Sequence, residues 1–163
     1  MDKNKMKILF LCEHNSARSQ MAEGLLKHLY RDRYEVFSAG ADPTQVNPLA
    51  IKVMAEIGID ISNQSSKSMK EFRDTDIDVV VSVCRRSANL MCSLCSSPNV
   101  MGRPEVVTAT LPRAKRYFHH GFRDPSEVKG TAEEKTAAFR RTRDEIRKWI
   151  LDTFAVSGTG GSE

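Results

Sequence analysis

Apolar positions change their period several times along this chain, and each change marks an element. Lys7 to Cys12 (KILFLC) is nearly continuous in apolar residues, the pattern of a strand covered on both faces. From Arg18 to Tyr30, apolar Met21, Ala22, Leu25 and Leu29 recur at helical spacing, which predicts an amphipathic helix. Tyr34 to Ala39 (YEVFSA) has a β-rich composition and runs into Gly40. Asn47 is a good N-cap with Pro48 at the first helical position; Ile51, Met54 and Ile57 line one face, and Gly58 stops the helix. Ile77 to Val83 (IDVVVSV) is the strongest strand pattern and delivers Cys84 at its end. A fourth short strand is expected near Lys115 to His119. Thr131 and Glu134 then read as a capping box opening a helix on which Phe139, Thr142, Ile146, Trp149 and Ile150 share a face.

Strands alternating with helices imply an α/β fold, here a four-stranded parallel sheet flanked by helices on both faces. One domain over residues 1–154 is expected, with a flexible tail at 155–163 that ends in SGTGGSE. Ligands of such sheets collect beyond the carboxyl ends of the strands, and Cys12 and Cys84 both stand at such ends.

Charge and cysteine usage narrow the chemistry. The chain of 163 residues carries a formal charge of +4, with no basic stripe interleaved with aromatics, so nucleic acid is not indicated. The positive excess suits the arrival of a small oxyanion. No signal peptide and no apolar run approaching the roughly 20 residues of a membrane span are visible, which predicts a soluble cytoplasmic protein, monomeric by default for its size. In that reducing compartment Cys12, Cys84, Cys92 and Cys95 are expected to do chemistry rather than to form structural disulfides. Arg140, Arg141, Arg143, Arg147 and Lys148 read mostly as the solvated side of the last helix, and Met54, Met91 and Met101 as packing or loop residues.

The stretch FLCEHNSARS places a cysteine at a strand end and an arginine six positions later at a helix start. A turn there aims backbone N–H groups at one point, and the helix dipole adds positive potential. Glu13, His14, Asn15, Ser16, Ala17, Arg18 and Ser19 are therefore the candidate oxyanion site, with Cys12 as nucleophile and Arg18 as a bidentate clamp. C-x5-R alone is a weak pattern; its strand–loop–helix setting is what lifts it above a buried structural thiol.

The runs CEHNSARSQMAEG, SAG at Ser38 to Gly40, NPLAIKVMAEIGIDISNQSS, DVVVSVC and GFRDP, in that order, resemble the thioredoxin-coupled arsenate reductases, which share the fold of the low-molecular-weight protein tyrosine phosphatases. The resemblance implies that Cys12 attacks arsenate while Arg18 and the loop amides hold its oxygens. It implies further that Ser19 hydrogen-bonds the Cys12 thiolate, that Asn15 braces the loop, and that Asp124, followed by Pro125, is the acid for the leaving oxygen. Cys84 matches the family's second thiol. The third is Cys92 or Cys95: in relatives it stands one position nearer to Cys84 than Cys92 does, while Pro98 after Cys95 lies where relatives carry prolines. Phosphate or sulfate would mimic the substrate. No tightly bound cofactor is implied, and the electrons would come from external thioredoxin, or from glutaredoxin with glutathione as in some relatives.

Three departures stand out. Ala17 replaces a second loop cysteine found in many relatives. Lys67 stands where potassium-binding relatives have an aspartate among Asn15, Glu23, Ser38 and Ser65, so an ammonium is expected in place of the ion. The segment from Arg85 to Arg116 is longer than in a typical relative, and Arg85 and Arg86 read as solvated arginines after a strand.

Two other functions compete. A phosphatase of this fold would need only Cys12, Arg18 and Asp124, but such enzymes usually carry an aromatic residue where Ser126 follows Pro125 here. A metal- or arsenite-binding regulatory protein would use Cys84, Cys92 and Cys95, with His119 or His120.

Overall fold

The structure, a computed structural model, describes residues 5–84 and 112–155. Its sheet is built from β1 (Met6–Cys12), β2 (Tyr34–Gly40), β3 (Ile77–Cys84) and β4 (Ala114–Phe122), all parallel, in the spatial order β2-β1-β3-β4. The helices are α1 (Arg18–Leu29), α2 (Pro48–Ala55) and α3 (Ala132–Phe154), with 3-10 turns at Met69–Phe72 and Pro125–Glu127. No helix among the described residues is long and apolar enough to cross a membrane.

Central position explains the continuous apolar run of β1: Ile8, Leu9, Phe10 and Leu11 are fully buried because both faces of the strand are covered. On one face the α3 indole of Trp149 meets Phe10 edge-on; on the other, Phe72 of the first 3-10 turn packs against Phe37 of β2. Leu11 stands opposite Ser82, so Cys12 and Cys84 both reach the carboxyl ends of neighbouring strands, Cys84 one residue beyond the position level with Cys12. The chain leaves β1 for β2 on one side and reaches β3 on the other, which makes the end of β1 the switch point where a crevice opens.

Element ends follow their local chemistry. The Asn47 side chain accepts from Leu49 N, Pro48 opens α2, and Gly58 at φ +77° closes the turn that follows it. The fourth strand is longer than its pattern suggests, running on to Phe122, because pairing with β3 rather than side-chain alternation sustains it. Thr131 accepts from Glu134 N, but the expected capping box is one-sided at α3; the reciprocal box closes instead between Ser68 and Glu71, at the 3-10 turn that sequence reading passed over.

On the last helix Arg140, Arg141, Arg147 and Lys148 are exposed, as expected, and Arg143 alone departs from that reading. Arg143 is buried, donating to the Val53 carbonyl and to Glu56, and Arg140 grips the same carboxylate with two nitrogens. These arginines fasten α3 to α2, and the Arg140 hydrogen bonds foremost hold Glu56 down to about 2.

Candidate active site

Between β1 and α1 the backbone turns inside out. Each carbonyl from Cys12 to Ala17 is spent outward: on Ala41 N, Asp42 N, Thr44 N, the Gln20 amide, Asn47 N and Met21 N in order. His14 O accepts in addition from the Ser66 hydroxyl. Among the described residues, no backbone carbonyl takes an N–H from Glu13 to Ala17. A loop whose carbonyls all face away presents its amides inward, which is an anion nest at a helix N-terminus.

The loop is braced from below by Asn15, fully buried and held at φ +48°. Its Oδ1 accepts from Lys67 N at 2.8 Å, which fixes the amide's orientation, and its Nδ2 donates to Ser19 Oγ at 2.8 Å and Ser38 Oγ at 2.9 Å. Ser19 Oγ and Cys12 Sγ are hydrogen-bonded at 2.8 Å. Either atom can donate in this bond while Cys12 is a thiol; an ionised Cys12 would accept the Ser19 proton. Ser38 donates onward to Glu23, a buried carboxylate that also pairs with Lys27 at 3.2 Å.

Lys67 lies at the far end of this chain of bonds. Its Nζ donates to Ser65 O at 2.7 Å and stands 4.0 Å from Glu23 Oε1, so an ammonium lies against two of the four groups named for the ion site, Glu23 and Ser65. Glu23 and Lys67 line a cleft of about 1460 Å³ along the outer side of β2, distinct from the crevice above Cys12.

Two supports of the loop escaped sequence reading. Gln20, fully buried, donates to the Asn15 and Ser65 carbonyls and accepts from Gln64; a polar residue among the apolar positions of an amphipathic helix was the available signal. Gly40, read as the end of the second strand and as part of SAG but not as a support, lies so close to the loop that a Cβ there would come within 2.7 Å of Asn15 N.

Arg18 is nearly buried and turns toward the end of β4. One terminal nitrogen donates to Phe122 O at 3.2 Å and the other to Asp124 Oδ2 at 3.3 Å. The Asp124 carboxylate is thus tied to the guanidinium of the loop's arginine, and its second oxygen accepts from Ser126 N and from the Ser126 hydroxyl. Glu13 and His14 stand on the outer rim, where His14 Nδ1 is 3.0 Å from Asp42 O. Ser16 and Ala17 contribute backbone to the loop.

Cys84 ends β3 beside β1, in register with Phe122 of β4. Its side chain, together with Arg85, Arg86, Cys92, Cys95 and Pro98, lies outside the described residues. Among the described residues no group of His, Cys, Asp and Glu is clustered to hold a metal. His120 is stacked on Trp149 with centroids 5.1 Å apart, and burial foremost pushes the His119 pKa down.

Comparison with known proteins agrees with this architecture. Residues 7–155 match the family of low molecular weight phosphotyrosine protein phosphatases. The chain is 45% identical over 155 residues to an arsenate reductase of Halalkalibacterium halodurans, with 95% of this chain and 99% of that protein covered. It is 43% identical over 151 residues to an arsenate reductase of Bacillus subtilis, with 93% and 96% covered. A solved structure of an arsenate reductase in its phosphate-binding state superposes with a TM-score of 0.70 at 33% identity, covering 92% of this chain and 97% of that one.

Proposed function

Since this chain belongs to the low molecular weight phosphotyrosine protein phosphatase family and its full-length relatives are arsenate reductases, we propose that it reduces arsenate to arsenite by a relay of cysteine thiols. The observation that carries this reading is the inverted loop: inward amides, a thiol hydrogen-bonded to a buried hydroxyl, and a guanidinium at its rim make a site for a tetrahedral oxyanion facing a nucleophile.

In the first step the Cys12 sulfur bonds to arsenic, and the departing hydroxide takes the proton of Asp124 and leaves as water. Arg18 and the amides of Glu13 to Ser19 hold the remaining oxygens. The Cys84 thiolate then attacks the Cys12 sulfur, and the electron pair of the S–As bond passes to arsenic, which leaves as arsenite. A Cys12–Cys84 disulfide remains, so the two thiols have supplied the two electrons. That β1 and β3 are adjacent and parallel, and carry the two cysteines to the same end of the sheet, supports this step. A third thiol, Cys92 or Cys95, attacks Cys84 and passes the oxidised pair to thioredoxin, or to glutaredoxin with glutathione, in a reducing cytoplasm. No tightly bound cofactor takes part. The Lys67 ammonium supplies the positive charge beside Glu23 and Ser65, so potassium at constant ionic strength is expected to raise the melting temperature no more than sodium does.

The test is arsenate-dependent oxidation of NADPH in the presence of thioredoxin and thioredoxin reductase, run beside hydrolysis of p-nitrophenyl phosphate. Turnover in the first assay with weak hydrolysis is expected. Vigorous hydrolysis with no arsenate-dependent loss of NADPH would make the chain a phosphatase. Trapping the oxidised protein and mapping its disulfide assigns the third thiol to Cys92 or Cys95.

A further inference from the structure

We propose that Ser126 is a positioning residue for the acid step, holding Oδ1 of Asp124 so that the proton is carried on Oδ2, the oxygen facing the oxyanion. The inference rests on the role given to Asp124 above. Its basis is the division of labour between the two carboxylate oxygens. Oδ1 accepts from Ser126 N at 2.9 Å and from Ser126 Oγ at 2.6 Å, while Oδ2 faces Arg18 Nη2 at 3.3 Å.

A donor-saturated oxygen is the poorer place for a proton, so protonation is directed to Oδ2. The arrangement matters most once substrate binds. An oxyanion in the loop draws the guanidinium of Arg18 toward its own oxygens and loosens the Arg18–Asp124 pair. Ser126 is then the partner that stays with the carboxyl and keeps it aimed. The Asp60–Ser62 turn carries the same two bonds, so what singles out Asp124 is that its other oxygen faces the Arg18 guanidinium.

Charged groups around Asp124 come from three places. Arg18 of α1 pairs with it directly, Arg123 and Glu127 flank it in the chain, and α3, which packs on this turn, carries Glu133, Glu134 and Lys135 in its first turn. Only Arg18 is common to the substrate's own recognition, so the Ser126 hydroxyl can be changed without touching the anion clamp.

The experiment is single-turnover release of arsenite from the fully reduced full-length chain at saturating arsenate, followed across pH for the wild type, Asp124→Asn, Ser126→Ala and Ser126→Thr. The limb owed to Asp124 is the one that Asp124→Asn lacks. Ser126→Ala removes a donor that favours the carboxylate, so that limb is expected to move to higher pH than in the wild type. Ser126→Thr keeps the hydroxyl and is expected to leave the limb in place. A limb unmoved in Ser126→Ala, or moved equally in Ser126→Thr, overturns the proposal while the role of Asp124 stands. An Asp124→Asn profile identical to wild type removes the role of Asp124 and the proposal with it, and a wild type that releases no arsenite removes the reductase reading itself.

Discussion

Arg18 stands between two regions that are built differently. On one side is the loop from Glu13 to Ala17, whose carbonyls are all engaged and whose hub, Asn15, is fully buried. On the other is the Arg123–Glu127 turn, where the Asp124 side chain keeps 22% of its surface and is held by its own near neighbour Ser126 and by Arg18. The loop is fastened by neutral groups at a distance in sequence: Gln20, Ser38, Ser66 and the backbone of residues 41–47 and 67. Such bonds form with the fold and do not wait for substrate. The turn depends on a charge that the substrate itself competes for. The difference teaches that the anion nest is preorganised, whereas the acid is adjustable.

The strongest way to break this comparison is to remove the groups the loop exists to present. Cys12→Ser is expected to lower single-turnover arsenite release by at least about a thousandfold, since a serine hydroxyl is not ionised there and cannot be resolved as a disulfide. Arg18→Lys keeps the charge but loses the fork that spans two oxygens, and roughly a hundredfold loss is expected. Near-wild-type release from either variant would show that the oxyanion is handled elsewhere.

A second contrast separates stability from activity. Gly40→Ala places a methyl within 2.7 Å of Asn15 N and 2.8 Å of Glu13 O, both backbone atoms that cannot swing aside. The loop must shift, at a cost of about 2–3 kcal/mol, and the melting temperature should fall by roughly 5–10 °C with activity falling alongside. Asp124→Asn leaves the turn nearly isosteric: release should slow by about 10- to 100-fold while the melting temperature moves by no more than about 2 °C. Thermal scans beside single-turnover rates check both. If Gly40→Ala melted like wild type, or Asp124→Asn lost as much stability as rate, the division into preorganised nest and adjustable acid would fail.

Much of this was legible in the chain because local signals and tertiary demand coincide. The run KILFLC is buried on both faces, Asn47-Pro48 caps α2, and C-x5-R spans a strand end and a helix start. What escaped has a common cause. Gly40 and Ser66 act on residues distant in sequence, and although a polar Gln20 among the apolar positions of α1 hints at burial, nothing local says that it will meet the Ser65 carbonyl. The Ser68–Glu71 capping box was readable but opens a turn too short to show a period. Arg143 misled for the opposite reason: charge patterning assigns an arginine to solvent, whereas its guanidinium is satisfied in the groove between α2 and α3 by Val53 O and Glu56.

That groove supplies the mildest test, because it is fastened by ions where the loop is fastened by neutral groups. Glu56 is held down to about 2 from an ordinary 4.5, by the Arg140 hydrogen bonds first and by Arg143 after them. A carboxylate depressed in the folded state adds stability that is fully present above its unfolded value and is lost as pH falls through the folded one. The melting temperature of the wild type should therefore exceed that of Glu56→Gln at neutral pH, and the gap should close as pH drops from about 4.5 toward 2. The carboxylate is exposed and screened, so the gap is small and should narrow further with added salt. Gln20→Ala, which cuts buried neutral bonds to the Asn15 and Ser65 carbonyls, should instead lower the melting temperature by an amount that salt leaves unchanged. Equal salt sensitivity in the two variants would mean that the loop, too, is held by charge.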